Sequence, residues 1–199
     1  MITAIILAAG FSTRFHGRKL FFKIGGKEMI LSVLDTVLKI NFSERILVYH
    51  DKRIPPIVPS GVKCIYNNNS KEGISSSIKV ALQSAEYHNS YIFFMGDQPF
   101  LDTDTVIKIV DSHKKNPDSI IVPLYGQKPG NPVIFPGHFR NDLSSIRGDK
   151  GGRSIIETNP DKVKYVEFDS IIAGIDIDTQ EDLAKLNIVD KETINNEMS

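Results

Sequence analysis

Tryptophan is absent from this chain, cysteine occurs once and the formal net charge is +0. The lone Cys64 excludes an internal disulfide and offers no thiolate cluster, which removes disulfide-stapled scaffolds and cysteine-held zinc folds. Set inside an apolar segment, it reads as buried core and not as a nucleophile. No apolar run approaches the roughly 18 residues needed to cross a bilayer. No bases precede the apolar opening, which breaks at Gly10, so no signal peptide is expected and a cytoplasmic protein is. Neutral charge and the lack of an aromatic-plus-basic array argue against a nucleic-acid partner. The histidines His16, His50, His88, His113 and His138 show no His-x3-His spacing, so no zinc site is expected and they read as surface or loop residues. A Gly-x-Ser-x-Gly elbow, the Gly-Lys-Ser/Thr of a P-loop and a Gly-x-Gly-x-x-Gly fingerprint are all missing.

What is present is ordinary in bulk and uneven in arrangement. A chain of 199 residues, 41% hydrophobic and 24% charged, can bury one solid core. One domain over residues 1–199 is expected, with a core to about residue 187 and a polar tail at 188–199. Acidic residues are withheld from the start: Arg14, Arg18, Lys19, Lys23 and Lys27 all precede Glu28, the first carboxylate. A local positive loop on a neutral protein suits a small polyanion such as a nucleoside triphosphate.

Strand-like and helix-like segments alternate. Ile2–Ala9, Arg45–His50, Val62–Tyr66, Tyr91–Met95, Ser119–Leu124, Val133–Phe135 and Val163–Phe168 read as strands. Helical spacing recurs at Ile30–Leu38, at Ile74–Ala85 with a cap among Ser75 to Ser77, and at Val106–Val110, which Pro117 stops. It returns at Arg153–Glu157 and Glu181–Leu186. Near-continuous apolar strands alternating with helices imply a layered α/β fold with a mostly parallel sheet. Ligands of such sheets sit beyond the carboxyl ends of the strands. Gly10 and Gly96-Asp97 both fall at such ends, which places them in one site.

The first loop, Leu7-Ala8-Ala9-Gly10, lacks bulk, so backbone can approach a phosphate or base closely. Arg14 follows with a planar fork of donors and Lys19 with a point charge. A tight turn beside a solvated basic face would look the same. Asp97, after an apolar strand, is well placed to hold Mg2+, which takes one or two protein carboxylates plus phosphate oxygens and waters. It is equally placed to cap the following turn. Asp176 and Asp178 alternate with apolar residues and can supply a second metal ligand, or Asp178 or Thr179 can cap a last helix. Gly73 to Ser77 opens a helix whose amides suit an anion or a base edge, and helix capping explains it as well. Gly126–Val133 and Gly148–Arg153 are glycine-rich and can form pocket walls or plain surface loops.

Together these pieces resemble the MobA-like nucleotidyltransferases, most closely the molybdenum cofactor cytidylyltransferases. The family's opening Leu-Ala-Ala-Gly-x-Ser-x-Arg-x-x-x-x-Lys is met by Leu7 to Gly10, Ser12, Arg14 and Lys19. Its Gly-Asp-x-Pro is met by Gly96 to Pro99. Its later glycine motifs are met by Gly130-Asn131-Pro132 and by Gly148-Asp149-x-Gly151 with Arg153, and its closing segment by Asp176 to Asp182. The matches keep the family's order over residues 2–187. His16 stands at a usual glycine and Phe15 at a frequent methionine.

The resemblance implies a three-layer Rossmann-like fold and transfer of CMP from CTP to the phosphate of the molybdenum cofactor, molybdopterin, with release of pyrophosphate. Ala9 resembles the cytidine-using branch, where guanine binders usually carry a second glycine. By this resemblance Arg14, Lys19 and Asp97 are catalytic, Asp97 and Asp178 hold Mg2+, and Arg18 is a bystander. Leu7, Ala8, Ala9, Gly10, Ser12, Gly73, Ser76 and Asp97 bind the nucleotide. Gly130, Asn131, Pro132, Asp149 and Arg153 face the acceptor. A molybdenum hydroxylase would receive the product. The same scaffold also serves sugar phosphates, methylerythritol phosphate or phosphocholine as acceptors, and GTP as donor. A non-catalytic cofactor chaperone is the reading from another class.

Overall fold

The computed structural model describes residues 1–11 and 19–177. Its first strand, β1 (Ile2–Ala8), is isoleucine-rich and buried on both faces. Ala4, Ile6 and Ala8 enter one hydrophobic cluster, while Ile5 and Leu7 enter another. This is the period-two alternation of a central strand between two helical layers.

A 3-10 turn at Lys19–Phe21 and a small hairpin, β2 (Lys23–Ile24) with β3 (Lys27–Glu28), lead into α1 (Met29–Leu38). The hairpin turns on Gly25 and Gly26, whose φ values of 56° and 82° are those a two-residue turn with the twist of its strands demands. Then follow β4 (Glu44–Tyr49), β5 (Lys63–Tyr66), α2 (Ile74–Ser84), β6 (Ser90–Met95) and α3 (Thr103–Lys115). The last part holds β7 (Ile120–Tyr125), β8 (Lys128–Pro129), β9 (Val133–Phe135), α4 (Arg140–Ser145), α5 (Arg153–Thr158) and β10 (Val163–Phe168).

The main sheet runs β10-β7-β9-β6-β1-β4-β5, with β8 paired to β7. All neighbours along it are parallel except β9, which runs antiparallel to β6 and β7. Helices α1 and α3 cover one face through Ile30, Val33, Leu34, Val37, Val106, Ile109 and Val110. Helices α2, α4 and α5 cover the other through Ile78, Ala81, Leu82, Leu143 and Ile155. The fold is thus the mixed α/β class with a mostly parallel central sheet.

Three expectations are corrected. No serine of Ser75 to Ser77 caps α2: the helix begins at Ile74 with Gly73 at the N-cap position, and the serines lie buried in its first turn. His113 is not a surface residue. It is buried on the inner face of α3, with its Nε2 2.9 Å from Ser90 Oγ. Cys64 is half-buried on β5, at the margin of the core, and burial pushes its thiol pKa up. Helix α3 starts on a true side-chain cap, Asp102 Oδ1 accepting from the Thr105 amide at 2.7 Å. The helix expected at 181–186 and the tail lie outside the described residues.

Candidate active site

From β1 the chain moves outward through β4 to β5, then returns to lay β6 on the opposite side of β1. The crevice beyond the carboxyl ends of β1 and β6 is therefore the switch point, where doubly wound sheets bind ligands. Gly96 closes it: its amide donates to the Leu7 carbonyl at 3.0 Å. A Cβ there would meet that carbonyl and the Ile30 side chain at 3.2 Å. Ala8 and Ala9 are buried at this end of β1, whereas Gly10 is exposed.

Two charges meet in the crevice. Lys19, with its side chain only 9% exposed, lays Nζ 2.6 Å from Asp97 Oδ2. A buried ammonium without an anion would be costly, so the pair fixes both side chains. The other carboxylate oxygen, Asp97 Oδ1, is buried and meets no hydrogen-bond donor among the described residues. A hard oxygen left without a donor beside a lysine fits a divalent cation with phosphate oxygens. The Ile177 amide donates to the Asp97 carbonyl at 3.3 Å, which brings the segment ending at Ile177 against the same turn. Asp176 is exposed there. Asp178, like Ser12, Arg14, His16 and Arg18, lies outside the described residues. No group of three metal-ligating side chains occurs among the described residues, and no helix among them is long and apolar enough to cross a membrane.

Gln98, next to Asp97, is 1% exposed, and neither end of its carboxamide has a hydrogen-bond partner among the described residues. Each unmet buried polar group of this kind costs about 1–3 kcal/mol. Sequence reading passed over this residue because glutamine after Gly-Asp carries no spacing signal.

On the far side of β1 the start of α2 is locked to another loop. Gly73 has φ of 90°, and a Cβ on it would fall 2.3 Å from Asp149 Oδ1 and 2.8 Å from the Gly148 carbonyl carbon. Asp149 Oδ1 accepts from the Ile74 amide at 3.3 Å. Asp149 therefore sits at the helix N-terminus, where a carboxylate is favoured. Ser76 Oγ donates to the Gly73 carbonyl at 2.8 Å. Asn67, fully buried after β5, donates through Nδ2 to Ser76 Oγ at 2.8 Å and Ser77 Oγ at 3.0 Å. Asn67 thus ties the end of β5 to the first turn of α2, a contact that the sequence reading missed. Its place at a strand end was the available signal.

A cavity of about 500 Å³ opens against these elements. Leu7, Ile78, Phe93, Val122 and Phe135 are among its apolar lining, with Asn131, Asp149, Lys150 and Arg153 among its polar lining. Of the residues expected to face an acceptor, Gly130, Asn131, Asp149 and Arg153 line it and Pro132 does not: Pro132 is buried behind the wall. Arg153 is exposed and pairs with Glu157 at 2.9 Å. Leu7 belongs to both this cavity and the Gly96 contact. The cavity and the Lys19–Asp97 pair therefore share the end of β1.

A family model described as MobA-like NTP transferase domain matches residues 4–163. A nicotine blue oxidoreductase of Paenarthrobacter nicotinovorans is 23% identical over 93% of this chain and 96% of its own. A probable molybdenum cofactor guanylyltransferase of Thermococcus sibiricus is 25% identical over 92% of this chain and 91% of its own. The match to the bifunctional protein GlmU of Pseudothermotoga lettingae, 28% identical, covers 59% of this chain and only 27% of that protein. Among solved structures, Rv0371c of Mycobacterium tuberculosis H37Rv aligns with a TM-score of 0.83 at 24% identity, over 93% of this chain and 96% of that one. A manganese complex of Rv0371c aligns at 0.76 and 23% identity, over 93% and 97%. A CMP:2-keto-3-deoxy-manno-octonic acid synthetase bound to CTP aligns at 0.76 and 17% identity, over 96% and 99%. These structural likenesses establish the fold.

Proposed function

This chain belongs to the family of MobA-like NTP transferase domains and is a nucleotidyltransferase, and from that premise we propose that it transfers CMP from CTP to the phosphate of the molybdenum cofactor. The observation that carries the reading is the 2.6 Å pairing of Lys19 with Asp97 at the switch point, beside a largely apolar cavity large enough for a ring system. An acceptor phosphate oxygen attacks the α-phosphorus of CTP. The bond from that phosphorus to the bridging oxygen breaks, and pyrophosphate leaves with the electron pair. An ionised phosphate is already a nucleophile, so no protein base is required. Positioning and charge neutralisation carry the catalysis.

Lys19 neutralises charge developing around the α-phosphate, and Arg14 grips the β- and γ-phosphates. Asp97, with Asp178, would hold Mg2+, whose chemistry is to neutralise phosphate charge and orient the leaving group. Leu7, Ala8, Ala9, Gly10 and Ser12 cradle the nucleotide, with Gly73 and Ser76 bordering it. Gly130, Asn131, Asp149 and Arg153 border the acceptor, and a molybdenum hydroxylase is the expected recipient. Ala9 supports CTP. The full-length likeness to a probable guanylyltransferase favours GTP as the second reading.

The test is pyrophosphate release with molybdenum cofactor, Mg2+ and each of the four NTPs. Release with CTP alone is expected. Preference for GTP overturns the donor assignment, and release with another phosphorylated acceptor but not this one overturns the acceptor.

A further inference from the structure

The Lys19–Asp97 pair accounts for one carboxylate oxygen of the turn after β6. It leaves three polar atoms buried there without partners among the described residues: Asp97 Oδ1 and both ends of the Gln98 carboxamide. Buried amides are nearly always hydrogen-bonded, and an apolar side chain of the same shape would be at least as stable in their place. An unsatisfied group beside a reacting centre is the usual mark of a position held for ligand at the expense of stability. A carboxamide has one acceptor and two donor hydrogens and no charge, so it suits a hydrated cation with its phosphates, accepting from a bound water and donating to an oxygen. Magnesium-type ions keep several waters, and the groups that orient those waters tune affinity.

We propose that Gln98 is a positioning residue for the divalent cation and polyphosphate held at Asp97. The proposal rests on the nucleotidyltransferase reading above. It concerns the neighbour of the carboxylate and not the carboxylate itself. Because Gln98 is almost wholly enclosed, removing its polarity should raise stability while weakening the site, and these two effects have opposite signs.

The experiment compares the unaltered protein with Gln98→Met, close in shape and apolar, and Gln98→Glu, which keeps an acceptor. Thermal midpoints are measured without ligand, and Mn2+ binding by titration in the presence of a non-hydrolysable CTP analogue. For Gln98→Met a midpoint raised by a few degrees is expected, together with Mn2+ affinity reduced by roughly 10–100-fold. For Gln98→Glu a recovery of part of that affinity is expected. A raised midpoint with unchanged Mn2+ affinity overturns the proposal, since the buried amide then serves nothing at the site. A lowered midpoint with unchanged affinity overturns it too, since the amide is then satisfied internally. Failure of the unaltered protein to bind Mn2+ with any nucleotide removes the underlying reading, and Gln98 with it.

Discussion

Lys19 is held where an ammonium cannot do without an anion, and the anion it finds is the Asp97 carboxylate, the proposed metal ligand. A charged hydrogen bond of this kind is worth about 1.5–3 kcal/mol. The larger consequence is kinetic, because an ion aimed in advance at a developing charge typically contributes about 10²–10³ in rate. Lys19→Ala should lower kcat for pyrophosphate release by that factor with its circular dichroism unchanged. Lys19→Arg should not restore it, since a planar fork does not reproduce a point charge. Near-normal turnover in Lys19→Ala would sink the role. His113 makes a separate prediction. Burial lowers its pKa below the usual histidine range, so the native state disfavours the proton that the unfolded chain accepts. Stability from this group is complete above the unfolded pKa of about 6.5 and is lost as pH falls through and below it. Urea midpoints should therefore decline from pH 7 toward pH 5, and the decline should be shallower in His113→Gln. A slope identical in both proteins would refute the assignment.

Helix α2 begins against the Gly148–Asp149 turn, and its far end is tied down by a residue distant in sequence. Arg140, opening α4, donates to the carbonyls of Leu82 and, at 3.4 and 3.5 Å, of Ala85 and Glu86, and its guanidinium lies 4.8 Å from the Tyr87 ring centre. Cations at helix C-termini are favoured, and Arg140→Ala should cost about 2–3 kcal/mol. That is a fall of roughly 4–12 °C in thermal midpoint for a chain this size, measurable by calorimetry. None of this was legible in the sequence, where Arg140 is one base in a polar stretch. Elements with a strong local signature were legible: Val133–Phe135, a short apolar run, and Val163–Phe168, where β-branched and aromatic residues are interspersed with charges, appear at the expected bounds between turn residues. The direction of β9 was not, since an antiparallel insertion depends on which neighbours a strand finds. The α2 cap was misplaced because Ser75 to Ser77 have the right chemistry two to four residues after the Gly73 cap position, and Asp149 supplies a carboxylate to the Ile74 amide from 75 residues away. Asn67 and Gln98 stayed hidden for the same reason: burial gives them meaning, and burial is a property of the fold.

At the scale of the molecule the proposed function assigns donor and acceptor to different stretches of chain meeting at one strand end. β1, β4, β5 and β6 form the parallel half with the Lys19–Asp97 pair, while the loop 149–152, α5 and β9 form much of the cavity wall beyond it. Leu7 borders both, so donor and acceptor phosphates would meet within the reach of one residue, and misplacement by about 1 Å can cost 10²-fold. Ile156 on α5 separates the two roles experimentally: it lines the cavity and stands outside the charged crevice. Ile156→Trp places a large ring in the cavity. If the acceptor enters there, its KM should rise tenfold or more, while Mn2+ and CTP-analogue binding stay within about twofold of the unaltered protein, since loss of a fitted ring surface is worth roughly 1–3 kcal/mol. Titration of the analogue and initial rates at varied acceptor concentration give the two numbers. Equal loss of both would put the cavity in the donor site, and unchanged rates would move the acceptor to another face of the sheet.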